Sequence, residues 1–156
     1  MAAYGGTLAK REVPKGPVGF RFLDAYRAHL LDLQKRLLDL PAQGEEQLLA
    51  LYLVGMLAWA TTNYLYLDGR WTEWLDAMQQ ALEASRRLQN QQEEGGWLGN
   101  LGVAYQSLGQ YEQAIDYHQQ ALQIAREIGD RSSEGAHLGN LGNVYQSHRK
   151  SDMEGN

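Results

Sequence analysis

The side chains that could do acid–base or metal chemistry are few and scattered. Four histidines stand at positions 29, 118, 137 and 148, on three different predicted helices, and cysteine is absent. The lack of cysteine excludes thiolate catalysis, disulfides and cysteine-ligated zinc. His118 falls at a core-facing position, which favours a packed, hydrogen-bonded imidazole over a metal ligand or a base. Glu112 and Asp116, one helical turn apart, are interpreted as a solvated helix face and not as an acid–base dyad.

Motifs for nucleotide binding and hydrolysis are also missing. The segment GGTLAK lacks the second glycine and the Ser or Thr of a phosphate-binding loop. Neither a G-x-S-x-G elbow nor an H-E-x-x-H pair occurs. The net charge of −5 argues against a nucleic-acid surface, which usually shows clustered Lys and Arg. The sequence therefore predicts no enzyme activity, no catalytic residue, no cofactor and no metal site.

The predicted helices that carry these residues belong to a sequence repeat. Residues 94–107 and 134–147 are identical at ten of fourteen positions, 40 residues apart, and a fixed period of this length indicates repeated supersecondary units. At the same offset 71–88 aligns with 111–128, where apolar residues recur at helical spacings of three and four. Gly69 also aligns with Gly109, so each unit is predicted as helix, left-handed glycine turn, helix and polar loop.

These units resemble the tetratricopeptide repeat, whose first helix carries Leu, then Leu-Gly, then Tyr. The residues that match are Leu98, Leu101, Gly102 and Tyr105, and in the next unit Leu138, Leu141, Gly142 and Tyr145. The resemblance implies an all-α fold, a right-handed α-solenoid of antiparallel helix pairs, here with an extra N-terminal helix. Glycine at 102 and 142 is expected where a neighbouring helix approaches too closely for a Cβ.

The chain divides into four predicted parts. Residues 1–19, with several Gly and Pro, are expected to be a flexible leader. Residues 20–40 form an amphipathic packing helix that Pro41 ends. The array covers 43–148, with units at about 43–90 and 91–130 and the first helix of a third unit at 131–148. Residues 149–156 are expected to be a flexible tail.

One stretch is long enough to cross a membrane. Leu48 to Leu67 is twenty residues without a charge, the length that spans a bilayer. Polar residues at 61–63 lie within it, and acidic residues flank it, which does not fit positive-inside anchoring. A solenoid helix buried on most sides would look the same, and we favour that interpretation.

The resemblance also implies a concave groove lined mainly by the first helices of the units, binding a protein or peptide. Asn and Gln side chains carry both hydrogen-bond donors and acceptors, so they suit recognition of a peptide backbone. The alternative interpretation is that some of these asparagines serve solely to cap or bridge neighbouring helices. The predicted groove residues are Trp59, Asn63, Tyr66, Asn100, Val103, Gln106, Asn140, Asn143 and Gln146.

The third unit lacks its second helix. Its first helix nevertheless keeps the internal apolar pattern, so either a longer parent chain or another chain is expected to cover this open end. The predicted open-end packing residues are Leu138, Leu141, Val144 and Tyr145.

The 40-residue units resemble the repeats of bacterial signal-transducing NTPases with NB-ARC-like cores. This implies a cytoplasmic, non-catalytic interaction or sensor module within a larger signalling regulator, with a protein or peptide as partner and neither nucleic acid nor membrane. The alternative is a structural self-assembly module whose open third repeat forms a homo-oligomer. The partner's identity stays open.

Overall fold

The computed structural model describes residues 18–41 and 43–154, and these residues form six α-helices packed in series. Each helix packs on the next one, α1 also contacts α3, and α4 also contacts α6. The all-α solenoid of paired helices is thereby confirmed. The helices are α1 Val18–Leu38, α2 Gly44–Leu67, α3 Trp71–Arg87, α4 Gln91–Ser107, α5 Tyr111–Glu127 and α6 Arg131–Glu154.

Glycine turns join the helices of each pair, as the repeat predicts. Gly69 and Gly109 have φ angles of 71° and 72°, in the left-handed region. After α2 the N–H of Arg70 donates to the carbonyl of Leu65 at 2.9 Å, which closes the end of the helix. The loop before α4 has Gln89 at φ 54° where the loop before α6 has a glycine. A side chain in this conformation costs about 1 kcal/mol.

The core runs between the helix pairs, and α4 lies at its centre. Trp97, Leu98 and Leu101 of α4 are almost completely buried, together with Leu65 of α2 and Met78 of α3. These residues recur on one helical face, so each helix buries a stripe against its neighbours. The stripe on α4 is what sets the position of the helices on either side of it.

Polar contacts also attach α1 to the first helix pair. The buried Gln34 side chain donates from Nε2 to the carbonyl of Ala77 at 2.7 Å. Arg27 forms an ion pair with Glu73 of α3 at 3.1 Å. Both contacts reach α3, and α1 also packs on α2.

The ends of the described chain differ from the predicted boundaries. Residues 1–17 of the expected leader lie outside the described residues, and residues 18 and 19 already belong to α1. Helix α6 continues to Glu154, six residues beyond the predicted end at residue 148. No proline or glycine interrupts 149–154, so the helix has no local reason to stop there.

Candidate functional site

A cavity of about 410 Å³ opens between α2, α4, α5 and α6. Four of the nine predicted groove residues line it: Trp59, Asn100, Val103 and Asn140. Asn100 and Asn140 are half-buried, whereas Trp59 and Val103 are exposed. The first helices of three successive units thus meet at one concavity.

The other five predicted groove residues lie outside this cavity. Asn63, Asn143 and Gln146 are exposed and Gln106 is half-buried. Tyr66 packs its ring against Trp74 of α3, with ring centroids 5.2 Å apart. Their part in binding a partner stays a prediction.

Several lining residues were missed because they lie at helix ends. Gln92 and Glu93 come from the first turn of α4, Ser133 from the first turn of α6, and Ile128 directly follows α5. The repeat offset, which places Glu93 and Ser133 at equivalent positions, was the available signal. Their side chains reach the cavity because the loops between units close one end of it.

The two junctions between successive first helices differ in width. At the first junction Trp59 of α2 meets Trp97 of α4, with ring centroids 5.1 Å apart. At the second junction the equivalent residues are Gly99 and His137, and a Cβ on Gly99 would lie 2.6 Å from the His137 ring. Two indole rings hold the first junction apart, whereas a glycine lets α6 approach α4 closely.

A smaller cavity of about 100 Å³ adjoins the first one, between α2, α3 and α4. Its walls are mainly aliphatic, with Leu51 and Met56 from α2 and Leu88 from the end of α3. Trp59, Trp97 and Glu93 line both cavities. The two cavities therefore adjoin each other, and together they are called the groove.

Helix α2 is buried on one face only, so the expectation that it is buried on most sides is wrong. Within the described residues it is the one helix long and apolar enough, by length and composition, to cross a membrane. Its buried residues form a single stripe. The apolar side chains left exposed on it include Leu49, Tyr52, Met56, Trp59 and Leu67.

Two carboxylates give the groove its charge. Glu93 is exposed and lines both cavities. Asp130 accepts hydrogen bonds from the Ser133 hydroxyl at 2.7 Å and from the Ser132 and Ser133 N–H groups at 3.1 and 3.0 Å. The hydrogen bonds from Ser133 lower the pKa of Asp130, because they stabilise the ionised form. Asp130 therefore stays negatively charged at neutral pH.

Two neighbouring histidines are neutral: His137, which lines the larger cavity, and His118 behind it. His118 is completely buried, as predicted, but neither of its nitrogens has a hydrogen-bond partner among the described residues. The prediction that the His118 imidazole is hydrogen-bonded is therefore wrong. Burial, and secondarily the nearby His137, lower the pKa of His118 to about 4. Burial also lowers the pKa of His137, whose ring centroid lies 6.0 Å from that of His118.

Two carboxylates lie one helical turn apart on α5. Glu112 and Asp116 are both exposed, which confirms the solvated helix face. Glu112 contacts His148 Nε2 at 3.1 Å, and Asp116 accepts from Gln120 at 2.8 Å. Among the described residues no three His, Asp or Glu side chains lie close enough to hold a metal ion together.

Fewer of the predicted open-end packing residues of α6 are exposed than expected. Leu141 and Val144 are buried within the chain, Val144 in the main core, so they are not available to a partner. Leu138 and Tyr145 are exposed. The close neighbour expected at Gly142 is also absent, since no atom of the described chain lies within 4 Å of a Cβ built there.

The expected close approach is confirmed at the equivalent glycine of α4. A Cβ on Gly102 would lie 2.7 Å from the His118 ring. The two glycines thus have the same sequence surroundings and different neighbours.

Comparison with known families agrees with the repeat pattern. Residues 93–153, which include most of α4 and all of α5, match the family model described as Tetratricopeptide repeat. No curated protein matches the chain. The family match supports a tetratricopeptide-repeat protein, and such repeats generally mediate protein–protein interaction.

Proposed function

We propose that this protein is a non-catalytic interaction module that binds a peptide or protein segment in the groove between α2, α4 and α6. The observation that carries the proposal is the pair of adjoining cavities, of about 410 and 100 Å³, on the side of the solenoid that the first helices line. Concave sites with apolar walls and a few convergent polar groups are where proteins usually bind ligands.

The polar groups of the groove suit a peptide backbone. Asn100 and Asn140 occupy equivalent positions on α4 and α6 and are both half-buried at the larger cavity. Each amide carries two donors and an acceptor, and neither side chain has a hydrogen bond within the described residues. An extended segment crossing α4 and α6 would meet one such amide on each helix, whereas the equivalent residue of α2 is Ala60.

The test is selection of binding peptides from a display library, repeated on a blocked groove. Val103→Tyr fills the larger cavity without changing the charge, and Gln119→Tyr on α5 is the control because Gln119 is exposed and lines neither cavity. We expect Val103→Tyr to weaken binding of the selected peptides about tenfold or more and Gln119→Tyr to leave it unchanged. Equal affinity for both variants would overturn the proposal.

A larger signalling regulator is the proposed context of this module. The support is the resemblance of its 40-residue units to the repeats of bacterial signal-transducing NTPases with NB-ARC-like cores, and this resemblance also favours a cytoplasmic location. The check is the complete gene: a full-length polypeptide without a phosphate-binding loop would remove this part of the proposal and leave the groove unaffected.

A second candidate function is self-association through α6. The favouring observation is that Leu138 and Tyr145 are 48% and 51% exposed, whereas their equivalents Leu98 and Tyr105 are 1% and 8% exposed. Light scattering across a hundredfold dilution tests it. A dimer that Leu138→Lys dissociates supports this function, and a monomer at every concentration rejects it.

A further inference from the structure

The groove is bordered by negative charge and by no lysine or arginine. Among the residues that line the two cavities, Glu93 and Asp130 are acidic and none is cationic. The neighbouring Glu94 is neutralised by Arg86 at 2.8 Å. Glu93 forms no ion pair within the described residues. A cleft with one sign of charge attracts a ligand of the opposite sign.

An aromatic surface lies beside this charge. Trp59 is 58% exposed, and its ring is held against the buried Trp97 at a centroid distance of 5.1 Å. Trp59, Trp97 and Glu93 all line both cavities. An exposed indole face next to a carboxylate binds an ammonium or guanidinium group by cation–π and Coulomb attraction together.

The smaller cavity selects a different kind of side chain. Its volume of about 100 Å³ equals that of roughly three water molecules, which is close to the size of one branched aliphatic group. Leu51, Met56 and Leu88 supply its walls. Burying an aliphatic side chain there is favourable because it removes apolar surface from water on both partners.

We propose that the ligand is a peptide segment that carries one aliphatic and one basic residue a short distance apart. The aliphatic side chain occupies the smaller cavity, and the Lys or Arg side chain lies across Trp59 beside Glu93, in the larger cavity that Asp130 also borders. This proposal rests on the proposed function of the groove and names its ligand class. Charge complementarity favours a basic ligand over an acidic one, because an acidic segment would meet two carboxylates and no cation.

The experiment is the same display selection with random dodecapeptides, read for composition. We expect the peptides that bind wild-type protein to be enriched in Lys or Arg near Leu, Ile, Val or Met. Enriched peptides without a basic residue, or with acidic ones, would overturn this proposal.

Affinity measurements on one selected peptide then assign the charge to Glu93. Replacing the basic residue of the peptide by Gln should weaken binding to wild type about three- to fivefold, the usual size of an exposed ion pair. With Glu93→Gln this loss should become smaller, because only Trp59 and Asp130 then attract the basic side chain. Glu46→Gln is the matched control, because Glu46 is exposed in the first turn of α2 and lines neither cavity. An undiminished loss in Glu93→Gln contradicts the assignment.

The aliphatic subsite has its own variant. Met56 is exposed at the smaller cavity, so Met56→Gln should fold normally and weaken the peptide about fivefold or more. Unchanged affinity would place the aliphatic residue elsewhere and overturn this half of the proposal.

The same data separate this proposal from the one on which it rests. If no peptide is enriched on wild type, or if Val103→Tyr has no effect, the groove is not the binding site and both fail. If Val103→Tyr abolishes binding while the peptides lack a basic residue, groove binding stands and only the ligand class is wrong.

Discussion

Helices α4 and α6 carry nearly the same sequence and have different surroundings. Over 94–107 and 134–147 they share ten of fourteen residues. On α4 a Cβ added to Gly95, Gly99 or Gly102 would come within 3.3 Å of Ile124, His137 or His118 respectively. On α6 the equivalent Gly135, Gly139 and Gly142 have no such neighbour in the described chain.

The comparison teaches what the repeated residues are for. Leu98 is buried in the main core, and Tyr105 is buried and stacks on Tyr117 of α5 with the rings 6° from parallel. Leu138 and Tyr145 have the same surroundings in sequence but no helix of the described chain over them. Burial is therefore a property of the pair of helices and not of either sequence alone.

The largest expected difference is between Leu98→Ala and Leu138→Ala. Removing the fully buried Leu98 side chain leaves a cavity and should lower the free energy of unfolding by about 2–5 kcal/mol. Leu138 is half exposed, so its replacement should cost within about 0.5 kcal/mol. Urea unfolding of the two variants measures both. Similar losses would mean that α6 is covered in solution.

Acid should destabilise the protein through His118, whose buried ring lies against Gly102 of α4. His118 titrates near pH 4 in the folded state against 6.5 for the ordinary group. The unfolded state therefore binds more protons between these values, and the free energy of unfolding falls as the pH drops from about 7 to 4. The difference between these two pKa values corresponds to a loss of about 3 kcal/mol in the free energy of unfolding.

The control for this pH dependence is His118→Leu, which keeps the site filled without a titrating group. Urea unfolding at several pH values should then show that the free energy of unfolding depends much less on pH between pH 7 and 4. A smaller dependence should remain because the pKa of His137 is also lowered. An unchanged slope would assign the acid sensitivity to other groups.

Adding a methyl group should have opposite effects at the two equivalent glycines. Gly102→Ala places a Cβ 2.7 Å from the buried His118 ring, and the strain, partly offset by better helix propensity, should cost about 1–2 kcal/mol. Gly142→Ala meets open space and should stabilise by about 0.5–1 kcal/mol. Thermal unfolding of both variants gives the signs, and a loss at Gly142 would reveal a close neighbour there.

The smallest expected difference in stability is between variants of the loops that precede α4 and α6. Gly129 has φ 71° and Gln89 has φ 54° at the equivalent position. Gly129→Ala should cost about 1 kcal/mol. Gln89→Gly should stabilise by less than that, since glycine relieves the strain but raises the entropy of the unfolded chain. Denaturation midpoints of the two variants test this order, and a loss in Gln89→Gly would show that its side chain contributes contacts.

Much of the fold was readable because its causes are local. Periodic apolar residues predicted α3, α4 and α5, and the turns at Gly69 and Gly109 follow from the one residue type that takes a positive φ easily. The end of α6 was misjudged because the charged residues of 149–154 disfavour burial but do not interrupt a helix.

The groove was only partly predictable because it joins residues that are distant in sequence. Trp59 and Asn140 line one cavity across three units, and both were predicted as groove residues. Glu93 and Asp130 were missed, since their approach to the groove depends on how the loops between units fold over its end. The five predicted residues outside the cavity show that one helix face is wider than the concavity it borders.

The sequence by itself determined the repeated helix pairs and their turns, because helix periodicity and glycine conformation act within a few residues. The tertiary structure alone decided which copy of the repeated phrase is buried, how wide each junction between helices is, and which carboxylates border the groove. These features depend on the separation of packed helices, and that separation is set by side chains such as Trp59 and Trp97 that meet only after folding.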